Sequence, residues 1–199
     1  MSTKTYDRQT GKFLARVAEN MPEMSGEVMQ GWIDNPKALQ NFLGGLVPLA
    51  INIPVSTIHV DRSASPAYPD WVKEALHPEL EKTGPAEYDA AKLELWLHES
   101  QKKGRWVKGE KIYEHLKKEK MLESCLGLSD LLAIQVGGIA FFRQHFAGKA
   151  VFGWKSVVRH RDGNLSVPYL YENGDEVVLR WDWLGNVWHD SYPALRFAS

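Results

Sequence analysis

Between Ala150 and His189 apolar and polar residues alternate with a period of two, and turn residues interrupt the alternation three times. Ala150, Phe152, Trp154, Ser156 and Val158 alternate with Val151, Gly153, Lys155, Val157 and Arg159. Leu165, Val167, Tyr169 and Tyr171 form a second set, and Val177, Leu179, Trp181 and Trp183 a third, opposed by Val178, Arg180 and Asp182. A period of two sends successive side chains to opposite faces of an extended strand, and no helix accommodates it. Asp162-Gly163-Asn164, Asn173-Gly174-Asp175 and Gly185-Asn186 separate the runs with residues that tolerate positive φ. The pattern predicts an antiparallel β-meander of three or four strands over 150–190, the last being Val187 to His189, with one buried face. Pro168 is the awkward residue, because it cannot donate to the ladder; a bulge or an outward-facing position is the expected escape.

The buried face needs a partner, and Leu131 to Phe142, apolar except at Gln135, supplies one as a helix from Ser129 to His145 or Phe146. Gly137-Gly138 inside it costs roughly 1 kcal/mol per glycine and implies close backbone approach or a break. Further helices are predicted over Asp70–Leu80, from Gly84-Pro85 to about Gln101, and over Gly109–Lys120. The fold class is therefore α+β, with helical N-terminal and middle regions (70–147 in the middle) followed by the C-terminal sheet packed on a helix. Residues 1–49 form a short helical leader, in which Phe13, Leu14 and Val17 mark one helix and Ser25 caps another carrying Val28, Met29 and Trp32. Asn35-Pro36 restarts a third, with Leu39, Phe42 and Leu43 on one stripe. Residues 50–69, with Pro54, Pro66 and Pro69, read as a connector, and 70–199 as the α+β domain.

Composition narrows the classes. The 199 residues are 44% hydrophobic with a formal net charge of −1, which offers neither nucleic acid nor an anionic membrane a global electrostatic footprint. The twelve-residue apolar window falls short of the roughly 20 residues that cross a bilayer, so no membrane association is expected. A single cysteine, Cys125, rules out an intramolecular disulfide and a cysteine-based zinc site. With no apolar stretch near Met1, the expected location is the cytoplasm.

The segment Met29-Gln30-Gly31-Trp32-Ile33-Asp34-Asn35-Pro36-Lys37-Ala38-Leu39, with Pro22 ahead of it, resembles a leader module of small modular proteins from reduced-genome candidate-phylum bacteria. The stretch from Phe141-Phe142 through Gly148–Lys155 to Leu195-Arg196-Phe197 is similar to the tails joined to such leaders. The resemblance implies modular construction and brings no activity, ligand or catalytic residue.

Candidate chemistry is sparse. The seven histidines show no His-x-x-x-His pair, so no metal and no cofactor is expected. Gly-x-Ser-x-Gly, Walker A and Gly-x-Gly-x-x-Gly motifs are lacking. Cys125 with His115 or His145 would pair a thiol with a base, but Leu122, Leu126 and Leu128 around it suit a small buried hydrophobe better. Asp182, His189 and Asp190 are the candidates for a small hydrolase. Residues 101–120 carry eight basic against three acidic side chains, with Trp106 and Tyr113 interleaved, a composition suited to single-stranded nucleic acid. Lys102, Lys103, Arg105, Trp106, Lys117 and Lys118, with Arg159 and Arg161 of the first hairpin, would make those contacts. Against this, residues 70–99 carry eight acidic and three basic groups, which suffice to pair the basic segment. The leading expectation is a non-enzymatic module that binds a protein partner through an aromatic sheet, with Tyr169, Tyr171 and Trp188 as the candidate contacts.

Overall fold

The computed structural model describes residues 12, 15, 16, 18, 19, 25–39 and 56–198. The chain divides into two compact units, Met1–Ile53 and Pro54–Ser199. Of the predicted first helix, Lys12, Ala15, Arg16, Ala18 and Glu19 are helical, while Phe13, Leu14 and Val17, with Phe42, Leu43 and the connector as far as Val55, lie outside the described residues. In the first unit, helix α1 (Gly26–Asp34) starts where Ser25 was expected to cap it, the Oγ accepting the Val28 N–H. Asn35 likewise caps the next turn by accepting the Ala38 N–H.

The second unit is built from strands β1 (Thr57–His59), β2 (Val72–Ala75), β3 (Glu87–Asp89), β4 (Leu93–Trp96) and β5 (Val107–Lys108), helices α2 (Gly109–Lys118), α3 (Leu128–Val136) and α4 (Gly138–Phe146), then strands β6 (Val151–Phe152), β7 (Val158–His160), β8 (Leu165–Asn173), β9 (Glu176–Trp183), β10 (Val187–Trp188) and β11 (Ala194–Phe197). The main sheet runs β2-β7-β8-β6-β11-β4, and β9 pairs with the other side of β8. The expected turn at Asn173-Gly174-Asp175 joins β8 to β9, and the two strands pair from Ser166 opposite Trp183 to Asn173 opposite Glu176. The sheet is larger than a meander and is mixed, since β11 runs parallel to β6 while its other neighbour, β4, is antiparallel.

Several expectations change. The region 70–101 is not helical: β2, β3 and β4 occupy it with short 3-10 turns at Pro78–Lys82, Ala90–Lys92 and Glu99–Gln101. The alternation from Ala150 to Val158 is not one strand, because a 3-10 turn at Trp154–Ser156 separates β6 from β7, and every residue from Val151 to Val158 is buried. The expected fourth meander strand, β10, pairs with β5 instead of β9.

Both faces of the sheet are covered, not one. On one face Val151, Leu170, Val177 and Leu195 join Leu131, Ile134, Phe141, Phe142 and Phe146 of α3 and α4. Residues of opposite parity on the same strands, Phe152, Val167 and Ala194, point the other way into a second core with Ile112, Tyr113 and Leu116 of α2 and with Trp154 and Trp188. Layered burial of this kind is why a chain with ordinary composition can support two cores. Helix α3 ends at Gly137 and α4 begins at Gly138, whose φ of 76° is left-handed; the break answers the Gly-Gly question of the sequence.

Pro168 sits inside β8 without a bulge. Its carbonyl accepts the Gly153 N–H on the side of β6 and β7. The N and C=O of one strand residue point to the same side, so the missing N–H also falls there. That spot is the junction where β8 passes from β7, paired through Ser166, to β6, paired from Tyr169. No β8–β9 bond is lost.

Candidate functional site

A cluster of charged side chains is enclosed near the start of α3. Arg62 holds Asp130 with Nη2 2.6 Å from Oδ1 and Nη1 3.2 Å from Oδ2, and Tyr88 donates its hydroxyl to Oδ1 at 3.0 Å. Glu81 accepts from the Tyr68 hydroxyl at 2.9 Å and from Ser156 Oγ through a short hydrogen bond. Glu81, Asp130 and Lys155 are fully buried. The α3 N-terminus explains the carboxylates: the Gly127, Leu128 and Ser129 N–H groups donate to Asp130, to Ser156 Oγ and to Glu81. A helix start leaves such donors without internal partners, and its positive dipole end favours acids. Lys155 donates to the Thr83 carbonyl, and its pKa is pulled down by burial while Asp130 opposes the shift. Two acids face two bases, each engaged, and the cluster is closed to substrate. Its role is to fix α3 against the sheet.

Tyr68 links this cluster to the surface. Its ring lies 6.2 Å from Trp181; Trp181 meets Trp71 edge-on at 5.4 Å, and Trp71 stacks on His160 at 4.2 Å. His160 is in turn fixed by Ser166 Oγ, 2.9 Å from Nε2. Trp181 and Leu179 lie on the face that α3 and α4 cover farther along, as register with Pro168 and Leu170 requires. The helices stop short of this end, so Tyr68, Trp71, Trp181 and His160 are half-buried and Trp183 is 47% exposed. A cavity of about 270 Å³ opens on one side of the row, lined by Tyr68, Leu128, Leu132, Leu179 and Trp181 among others. A second of about 410 Å³ opens on the other, lined by Asp70, Trp71, His160, Arg161 and Asp162.

The contacts expected from the sequence lie elsewhere. Trp188 is a core residue, 2% exposed, with its indole N–H donating to Asp182 Oδ2 at 2.6 Å, so it presents no surface. Tyr169 and Tyr171 are half-buried on the opposite face, Tyr169 stacked on Phe152 and Tyr171 beneath Arg180. Sequence parity placed Trp181 and Trp183 together, but only the extent of the helices decides which aromatics stay open.

Asp182, His189 and Asp190 do not assemble as a hydrolase. Asp182 accepts from Trp183 N–H, Asn186 and Trp188, whereas His189 Nδ1 contacts Asp190 and Ser191. Asp182 is thus an anchor for the β9–β10 turn. Cys125 is completely buried, and desolvation pushes its thiol up to about 12, the opposite of an activated nucleophile.

The basic candidates are scattered and mostly engaged. Lys102 pairs with Glu99 at 2.5 Å, Arg105 donates to the Glu99 and Lys102 carbonyls, Arg159 pairs with Glu74 and Arg161 donates to the Asp70 carbonyl. Lys117 lies over the Tyr113 ring, and Lys103 and Lys118 are exposed. Trp106 is 59% exposed with its ring against His189, at a cavity of about 650 Å³ shared with Arg105, Lys108 and Lys111 but also with Glu110 and Glu114.

Among the described residues no group of three histidine, cysteine or acidic side chains is arranged to hold a metal ion, and no helix is long and apolar enough to cross a membrane. Comparison with protein-family models, curated proteins and solved structures gave no match. The chain is a mixed α/β protein with an aromatic surface at one end of its sheet.

Proposed function

We propose that the chain is a protein-binding module that seats its partner on the uncovered end of the sheet. The observation that carries this reading is the row Tyr68–Trp181–Trp71–His160, held between two cavities. Tryptophan is among the side chains that dominate binding energy at protein interfaces, and half-buried rings such as Trp71 and Trp181 remove further area from water at little conformational cost. The buried Glu81 carboxylate fixes Tyr68 from below, so the surface is preorganised. Selection of linear peptides against the full chain tests it. Selected binders should lose about 2 kcal/mol of affinity on Trp71→Ala or Trp181→Ala and none on Trp106→Ala. Binders indifferent to both substitutions would remove the reading.

A second reading rests on Trp106, an exposed aromatic beside Arg105, Lys108 and Lys111. It has the chain bind single-stranded nucleic acid weakly by stacking and phosphate contacts. Retention on single-stranded DNA should then fall steeply with salt and vanish in Trp106→Ala; no retention at about 50 mM salt eliminates it.

A further inference from the structure

Strand β9 has β8 on one side and, among the described residues, no strand on the other. Its outward backbone groups can be assigned residue by residue. Pro168 turns its N and C=O toward β6 and β7, so its partner Trp181 belongs to a pair whose members point away from each other. Alternation makes Val177, Leu179, Trp181 and Trp183 the outward-pointing residues. Trp183 is satisfied locally, donating to Asp182 Oδ1 while accepting from Asn186 N–H, and Val177 is engaged through its carbonyl, which accepts from Gln135 Nε2. Leu179 and Trp181 remain, with two N–H and two C=O groups and no internal bond on that side among the described residues. Their side chains line the 270 Å³ cavity next to Leu128 and Leu132, and between them Arg180 stands exposed on the other face, over Tyr171.

We infer that the Leu179–Trp181 window is a strand-addition site for an extended segment of another protein, with an acidic residue opposite Arg180 between two apolar residues facing the cavity. This rests on the binding-module reading and specifies its ligand. An unpaired strand edge templates another strand, its main-chain bonds providing affinity and alternate side chains specificity. A second copy of β9 fits poorly. The antiparallel register that uses both open residues pairs Leu179 with Trp181 and sets Arg180 directly against Arg180, which repels. An acidic residue in that place attracts instead.

The probes are synthetic peptides of alternating threonine and valine with a central Val-Glu-Val, Val-Lys-Val or Pro-Glu-Val, titrated against the full chain and its variants by fluorescence polarisation. In the antiparallel register the two valines oppose Leu179 and Trp181 and carry the ladder donors, so the Val-Glu-Val peptide should bind best and the Pro-Glu-Val peptide about 10-fold more weakly, having lost one of them. Arg180→Glu should reverse the order of the glutamate and lysine peptides, a relative change of about 5- to 10-fold. Leu179→Pro removes an outward donor and no internal bond, so it should weaken binding about 10-fold beyond Leu179→Ala, which controls for the lost side chain. Equal effects of these two, with binding still abolished by Trp181→Ala, would overturn strand addition and leave the aromatic surface in use. Binding indifferent to Trp71→Ala, Trp181→Ala and Leu179→Pro, or no binding of any peptide, would overturn both. Sedimentation showing a dimer dissolved by Leu179→Pro would assign the window to a second copy.

Discussion

Arg62 and Asp130, 68 residues apart, form a two-pronged ion pair whose side chains are 10% and 0% exposed. Removing one partner of such a pair leaves the other charge buried and uncompensated, which costs far more than the intact pair contributes. Asp130→Ala should therefore lower stability by about 3–5 kcal/mol. The Arg62→Ala, Asp130→Ala double variant should be clearly less destabilised than the sum of the singles, as urea unfolding followed by tryptophan fluorescence would measure.

Two glycines are needed for different reasons. A Cβ on Gly109 would sit 2.5 Å from the buried Trp188 ring, so Gly109→Ala should overpack the α2 core at about 1–3 kcal/mol. At Gly138 a Cβ meets nothing within 4 Å, but φ is 76°, so Gly138→Ala should cost about 1–2 kcal/mol through backbone strain alone. Gly138→Asn, which tolerates that conformation, should recover part of the loss, whereas no polar replacement helps at Gly109.

Cys125 should be silent toward alkylating reagents. Its thiol is buried beside the Arg196 backbone bridge and its pKa is raised to about 12, so labelling at pH 8 should track unfolding and not surface encounter. Labelling of the folded chain at the rate of a free thiol would contradict the packing of the α2 core.

Acid should weaken the fold near neutrality. Burial lowers the pKa of His77, His98 and His145; His98 Nδ1 accepts the Ser100 N–H and His77 Nε2 contacts the Tyr113 hydroxyl. Above pH about 6.5 these imidazoles are neutral whether folded or not, so they add no pH dependence. Below it the unfolded chain binds protons that the folded chain refuses, and stability falls until the lowered folded pKa values are passed. The urea midpoint should drop between pH 7.5 and 5.5, and His98→Gln should flatten the slope.

The β8–β9 hairpin and α2 were legible because each is specified locally, by turn residues such as Gly174 with φ 59° and by helical spacing of Ile112, Tyr113 and Leu116. Residues 70–101 were misread because Trp71, Ala75 and Leu76 mimic a helical stripe, whereas β2 and β4 exist through partners far along the chain, β7 and β11. Charged Glu81, Asp130 and Lys155 resemble surface residues in any local window; their burial depends on satisfaction by distant partners. The aromatic row was hidden for the same reason, since Tyr68 and Trp71 reach Trp181 from more than a hundred positions away.

The order in which a ribosome delivers the chain meets an obstacle in β11. Residues 194–197 are the last of the described strands to be synthesised, yet they lie inside the sheet, with β6 on one flank and β4 on the other. Until they emerge, β4 is not tied to the remaining strands, and a nascent chain offers two naked flanks to proteases and chaperones. Premature termination before Ala194 should therefore yield an aggregating fragment in place of a shortened but serviceable protein.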